Sequence, residues 1–196
     1  MTDATKHEAE MKALQKEMRG KMAAARRRKG LIIVHTGDGK GKTSAALGML
    51  LRSLGHGFKC AVVQFVKGGR GTAESLLKSP LLQWDKVGQG FTWDTQSREK
   101  DTKCARDGWS LVQRHLADPE LKFLLLDELN IVLSYQYLPA AEVIESLRNK
   151  RDDLHVVVTG RGALPALIDL ADLVTEMKEI KHPFKQGIRA QPGIEF

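Results

Sequence analysis

The 196 residues are 42% hydrophobic and 28% charged, with a formal net charge of +7. At about 150 residues per domain this is one domain with an appendage, or at most two small ones. The longest apolar clusters, such as Leu31-Ile32-Ile33-Val34 and Leu124-Leu125-Leu126, fall far short of the roughly 18 to 20 apolar residues of a membrane span, which excludes a transmembrane role.

The charge is unevenly placed. Residues 1–29 hold nine Lys/Arg against four acids, and residues 30–196 hold twenty-two against twenty. A basic arm therefore precedes a nearly neutral body, which argues against a nucleic-acid-binding surface. The arm lacks an apolar h-region, so no secretory signal is expected. It ends in Arg26, Arg27, Arg28 and Lys29 and reads either as a solvated, partly helical tail or as a lid or docking segment for an anionic ligand or partner.

From Gly30 onward, short apolar runs alternate with helical stretches. Leu31–Val34 is a strand, followed by a glycine-rich turn and an Ala/Leu-rich helix from about Gly41 to Leu54. Cys60–Phe65 is a second strand after the helix stop Gly55-His56-Gly57, and a short strand is expected near Leu82–Val87. Ser97–Leu116, apolar at Cys104, Trp109, Val112 and Leu116, is an amphipathic helix. Phe123–Leu126 is a strand, Pro139–Arg148 a helix opened by its proline, His155–Thr159 a strand, Leu164–Leu170 helical and Leu173–Met177 a last short strand. The last fifteen residues are expected to form an irregular tail packed over the sheet. Continuously apolar strands separated by helices predict a doubly wound α/β fold with a mainly parallel sheet covered by helices on both faces. Residues 30–196 form one such domain, with residues 1–29 as its arm.

Thr36-Gly37-Asp38-Gly39-Lys40-Gly41-Lys42-Thr43 lies between the first strand and the first helix, where a phosphate-binding loop belongs. Glycines let backbone N–H groups turn around phosphate oxygens, and the helix N-terminus adds partial positive charge. Lys42 would neutralise phosphate charge and the Thr43 hydroxyl would bind Mg²⁺. Thr36 stands where the usual loop has its first glycine, so this is a variant loop. At the end of the strand Leu124-Leu125-Leu126, Asp127 or Glu128 can reach that Mg²⁺ directly or through water. Arg161, in Thr159-Gly160-Arg161-Gly162, is aimed at the same edge, for phosphate recognition or a structural salt bridge. Phe91 and Trp93, in Gly88-Gln89-Gly90-Phe91-Thr92-Trp93-Asp94, either stack on a flat ligand or fold into the core.

His35, His56, His115, His155 and His182 show no metal spacing and read as ordinary core or surface residues. Cys60 and Cys104 stand apart, which predicts no disulfide framework or zinc site and a reducing cytoplasm. Neither Ser44 nor Cys104 has the setting of a nucleophile.

Taken in order, these motifs resemble the ATP:corrinoid adenosyltransferases of the CobA/CobO/BtuR family. The resemblance runs from the Arg-rich arm through Gly37–Thr43, Val63-Gln64-Phe65-Val66-Lys67-Gly68, Gly90-Phe91-Thr92-Trp93, Leu126-Asp127-Glu128-Leu129, Tyr137-Leu138-Pro139 and Thr159–Gly162 to Asp169-Leu170-Ala171-Asp172. Asp38 stands where many members have Asn. The resemblance implies a RecA-like P-loop fold, commonly homodimeric, that moves the 5′-deoxyadenosyl group of ATP onto a corrinoid Co(I) and releases tripolyphosphate. It implies ATP binding by Thr36 to Thr43, Ser44 and Arg161, and an Mg²⁺ (or Mn²⁺) site at Thr43, Asp127 and Glu128. The catalytic group is then Lys42, Phe91, Trp93 and Glu128, with Phe91 and Trp93 against the corrin face, displacing its lower axial ligand so that a flavodoxin-like flavoprotein can reduce Co(II). Two other readings compete. One is an ATPase or kinase in which Glu128 orients water or a hydroxyl against the γ-phosphate, and the other is a nucleotide-gated binding module docking through its arm.

Overall fold

The structure, a computed structural model, describes residues 3–66, 73–87 and 97–195. Its strands are β1 (Ile32–Thr36), β2 (Lys59–Gln64), β3 (Leu82–Lys86), β4 (Leu121–Asp127), β5 (His155–Thr159) and β6 (Leu173–Glu176). They form one parallel sheet in the order β3-β2-β4-β5-β1-β6. The helices among the described residues are α1 (Asp3–Ala24), α2 (Lys42–Gly55), α3 (Arg98–Ala117), α4 (Leu129–Ser134), α5 (Ala140–Arg148) and α6 (Pro165–Leu170).

Successive strand side chains point to opposite faces, so each unbroken apolar run feeds two cores. Val34, Val63, Leu124, Leu126, Val156 and Val158 pack with Trp109 and Val112 of α3 and Val143 and Leu147 of α5. Ile33, Val62, Leu125 and Val157 pack instead with Ala46 and Leu50 of α2. Each of the fully buried leucines contributes about 2 kcal/mol through the apolar surface it removes from water. Both faces carry helices, as expected, but unevenly: residues from α3, α4, α5 and α6 join the first core, and α2 serves the second.

Several element ends differ from the sequence expectation. β1 does not stop at Val34, because His35 and Thr36 extend the ladder opposite Thr159 of β5 and Glu176 of β6. The helix after it opens at Lys42, since Gly41 has left-handed φ of 108°. Ser97 caps α3 rather than joining it, its hydroxyl accepting from the Lys100 N–H at 3.4 Å. Helix α4, which periodicity did not predict, starts directly after Glu128, whose φ of 63° breaks the strand.

The arm is a 22-residue helix, exposed wherever its side chains are described, with i,i+4 ion pairs Glu8–Lys12 and Glu17–Lys21 at 2.6 Å. The carboxyl-terminal tail is mostly exposed rather than packed over the sheet, with Phe184 and Ile194 each 76% exposed. Its Glu195 instead pairs with Lys40 at 3.0 Å.

Candidate active site

All six strands run the same way, so their carboxyl ends share one edge, the place where open α/β sheets bind ligands. There each apolar run closes on polar residues: His35 and Thr36 on β1, Gln64 on β2, Asp127 on β4 and Thr159 on β5, all buried.

The glycine loop joins β1 to α2. Gly37 and Gly41 have φ of 91° and 108°, a region that a Cβ strongly disfavours. At Gly39 the reason is close approach, since a Cβ there would lie 2.7 Å from the Lys178 backbone. The Gly39 N–H donates to Met177 O at 2.7 Å, so the chain leaving β6 straps the loop. The variant Thr36 fastens it further: its hydroxyl accepts from the Ala163 N–H at 3.2 Å and its carbonyl from the Met177 N–H at 2.8 Å.

Inside the loop, Lys42 Nζ donates to the carbonyls of Gly37 (2.8 Å) and Gly39 (2.6 Å). Burial pushes its ammonium below the ordinary lysine range, and the nearby Glu128 carboxylate opposes that shift. Thr43 Oγ1 donates to Asp127 Oδ1 at 2.9 Å. Asp127 is fully buried and also accepts from Thr159 Oγ1 at 2.7 Å and Gln64 Nε2 at 3.0 Å. Both its oxygens thus face inward partners, and the Thr43 hydroxyl lies between it and the loop. The Glu128 N–H donates to Thr159 Oγ1 at 3.0 Å, so one hydroxyl positions both acidic residues.

Arg161 leans on the loop, Nη2 donating to Asp38 O at 3.4 Å. Asp38, Lys40 and Ser44 are exposed around it. The structure thus brings together Lys42, Thr43, Asp127, Glu128 and Arg161 from three segments. Phe91 and Trp93 lie outside the described residues. Among the described residues no group of three or more His, Cys, Asp or Glu could hold a metal ion, and no helix is long and apolar enough to cross a membrane.

Sequence reasoning singled out neither Gln64 nor Thr159 as a site residue, nor Asn130, whose amide donates to Gly160 O at 2.9 Å. The available signal was a polar residue ending an apolar run. His35 and His115 do behave as core residues: His35 Nδ1 donates to Lys42 O at 3.2 Å, and His115 Nε2 donates to Asp85 at 2.7 Å. Burial pushes the Cys60 thiol up to about 12, which keeps it unreactive.

A lysine wrapped by a glycine loop between strand and helix, beside a hydroxyl held by a buried strand-end carboxylate, defines a phosphate-loop nucleotide-binding α/β protein. Residues 28–196 match the family described as ATP:corrinoid adenosyltransferase BtuR/CobO/CobP. The chain belongs to that family, and is a transferase that uses ATP and a corrinoid. It is 44% identical over 194 residues to a corrinoid adenosyltransferase of Pseudomonas aeruginosa, covering 97% of this chain and 96% of that protein. A corrinoid adenosyltransferase of Sinorhizobium sp is 46% identical over 200 residues, covering 99% and 93%, and one of Escherichia coli is 41% identical over 192 residues, covering 97% and 98%.

Proposed function

We propose that the protein transfers the 5′-deoxyadenosyl group of ATP to the Co(I) centre of cobalamin or a cobalamin precursor, releasing tripolyphosphate, in adenosylcobalamin biosynthesis or salvage. The corrinoid cobalt is substrate and supplies the electron pair. A Co–C5′ bond forms, the C5′–O bond breaks, and the pair leaves with tripolyphosphate. The step needs no side-chain nucleophile and no proton transfer, in keeping with the unreactive Cys60 and the exposed Ser44. The protein has to align C5′ with the metal and stabilise charge on the departing triphosphate.

Lys42, the amino end of α2 and Arg161 are suited to that second task. The Thr43–Asp127 contact is the observation that carries the nucleotide reading, because it joins the hydroxyl that follows the loop lysine to a buried strand-end carboxylate. The same pair of hard oxygen donors fits Mg²⁺ (or Mn²⁺): Thr43, with Asp127 or Glu128 behind it, would hold the ion, which when bound neutralises phosphate charge. Resemblance to the family supports ATP bound in the reverse sense, C5′ toward the corrinoid, with Phe91 and Trp93 on the corrin face. It also supports a homodimer and a flavodoxin-like reductant, while the nearly neutral body and the short apolar runs speak against a nucleic-acid or membrane partner.

Phosphorus NMR of a reaction with Mg-ATP and reduced corrinoid tests the reading: tripolyphosphate is expected, and ADP or orthophosphate alone would favour an ATPase or kinase. Residues 1–29 act in this scheme as a lid over the corrinoid. Deleting them should weaken corrinoid binding about tenfold, or 1.4 kcal/mol, with ATP affinity within twofold of the full chain's, both read by titration. An unchanged corrinoid titration would remove the lid from the account.

A further inference from the structure

A line of side-chain hydrogen bonds crosses the sheet just inside the site edge. It begins on the edge strand β3, where the half-buried Trp84 donates from Nε1 to Gln64 Oε1 at 3.0 Å. Gln64 Nε2 donates to Asp127 Oδ2 at 3.0 Å, and Asp127 Oδ1 accepts from Thr43 Oγ1 at 2.9 Å. Gln64 is 1% exposed and stands level with Asp127 in the ladder between β2 and β4.

A glutamine amide can sit either way round, but its neighbours here leave one choice. An indole N–H only donates, so it selects the Gln64 carbonyl; a carboxylate only accepts, so it selects the NH₂. We propose that Gln64 is a positioning residue of the nucleotide site and that Trp84 fixes the orientation in which it acts. With Oδ2 anchored by Gln64 and Oδ1 by Thr159, the Asp127 carboxylate has one direction in which to receive Thr43, and the hydroxyl is aimed accordingly. Removing the Gln64 NH₂ leaves Oδ2 without that donor in a dry sheet, where a lost partner is most costly. The proposal rests on the reading that the 37–43 loop holds ATP with its metal.

The test is calorimetric titration of the full-length protein with ATP, once with Mg²⁺ and once with EDTA. Gln64→Leu should weaken Mg-ATP binding about tenfold, the scale of losing a residue that orients a metal ligand, while metal-free ATP binding stays within twofold. Trp84→Phe, which keeps an aromatic ring at the sheet edge but removes the Nε1–H donor along with the rest of the pyrrole ring, should shift the same ratio in the same direction by a smaller factor. In 5-fluorotryptophan-labelled protein, the Trp84 ¹⁹F resonance, assigned by its absence in Trp84→Phe, should move on adding Mg-ATP and stay still in Gln64→Leu. Equal losses with and without metal, or unchanged Mg-ATP binding in both variants, would overturn the proposal. No Mg-ATP binding by the unaltered protein would instead overturn the nucleotide reading beneath it.

Discussion

Lys42→Ala is expected to lower kcat/KM for adenosyl transfer by about 10² to 10³, the scale of losing one preorganised charge aimed at a transition state. Lys42 Nζ is held between the Gly37 and Gly39 carbonyls, so it carries charge and also shapes the loop. In the proposed reading its removal takes a cation from the departing triphosphate, and it leaves two loop carbonyls without this donor. Lys42→Arg should rescue little, because a planar guanidinium fork cannot replace a point charge enclosed by a tight loop. Initial rates with chemically reduced cob(I)alamin, set beside the thermal unfolding midpoint, separate the catalytic loss from a folding loss. A loss under threefold would show that the loop does not act on the reacting phosphates.

Trp93→Ala should divide the reaction in two. β3 runs parallel to the other strands and ends at Lys86, at the edge that also holds the glycine loop. In the proposed reading, which rests on the family resemblance, Trp93 lies against the corrin face and excludes the lower axial donor, and a cobalt without that donor is easier to reduce. With Co(II) and a flavoprotein donor, the variant should fall by at least about tenfold, equivalent to 1.4 kcal/mol of barrier. With Co(I) supplied chemically it should retain most of its rate, and its ATP affinity should match the unaltered protein's. Equal losses under both conditions would assign Trp93 to adenosyl transfer itself rather than to reduction.

Much of this site was legible in the sequence because its physics is local. Gly37, Gly39 and Gly41 followed by Lys42 and Thr43 announce a turn that wraps a charge at the start of a helix. Asp127 is a carboxylate ending an apolar strand. The strands were legible for a related reason: unbroken apolar runs such as Leu124–Leu126 can only be covered on both faces. Contacts between segments distant in the chain were not legible. Thr36 looks like a defect in the loop motif until Ala163 and Met177 are seen to hold it. Gln64 looks like a strand end until Trp84, twenty residues on, and Asp127 on the next strand fix its two ends. Helix α4 escaped because six residues are too few to show a helical period, and its start depends on the left-handed backbone of Glu128. The order of motifs along the whole chain carried the family resemblance, and the match over residues 28–196 bears it out.

The most direct measurement is an anaerobic incubation with Mg-ATP and chemically reduced cob(I)alamin, followed by absorbance before and after illumination and by assay of the phosphate product. A light-sensitive cobalt–carbon product formed one-for-one with intact tripolyphosphate is expected. Orthophosphate or ADP without the organometallic product would contradict it.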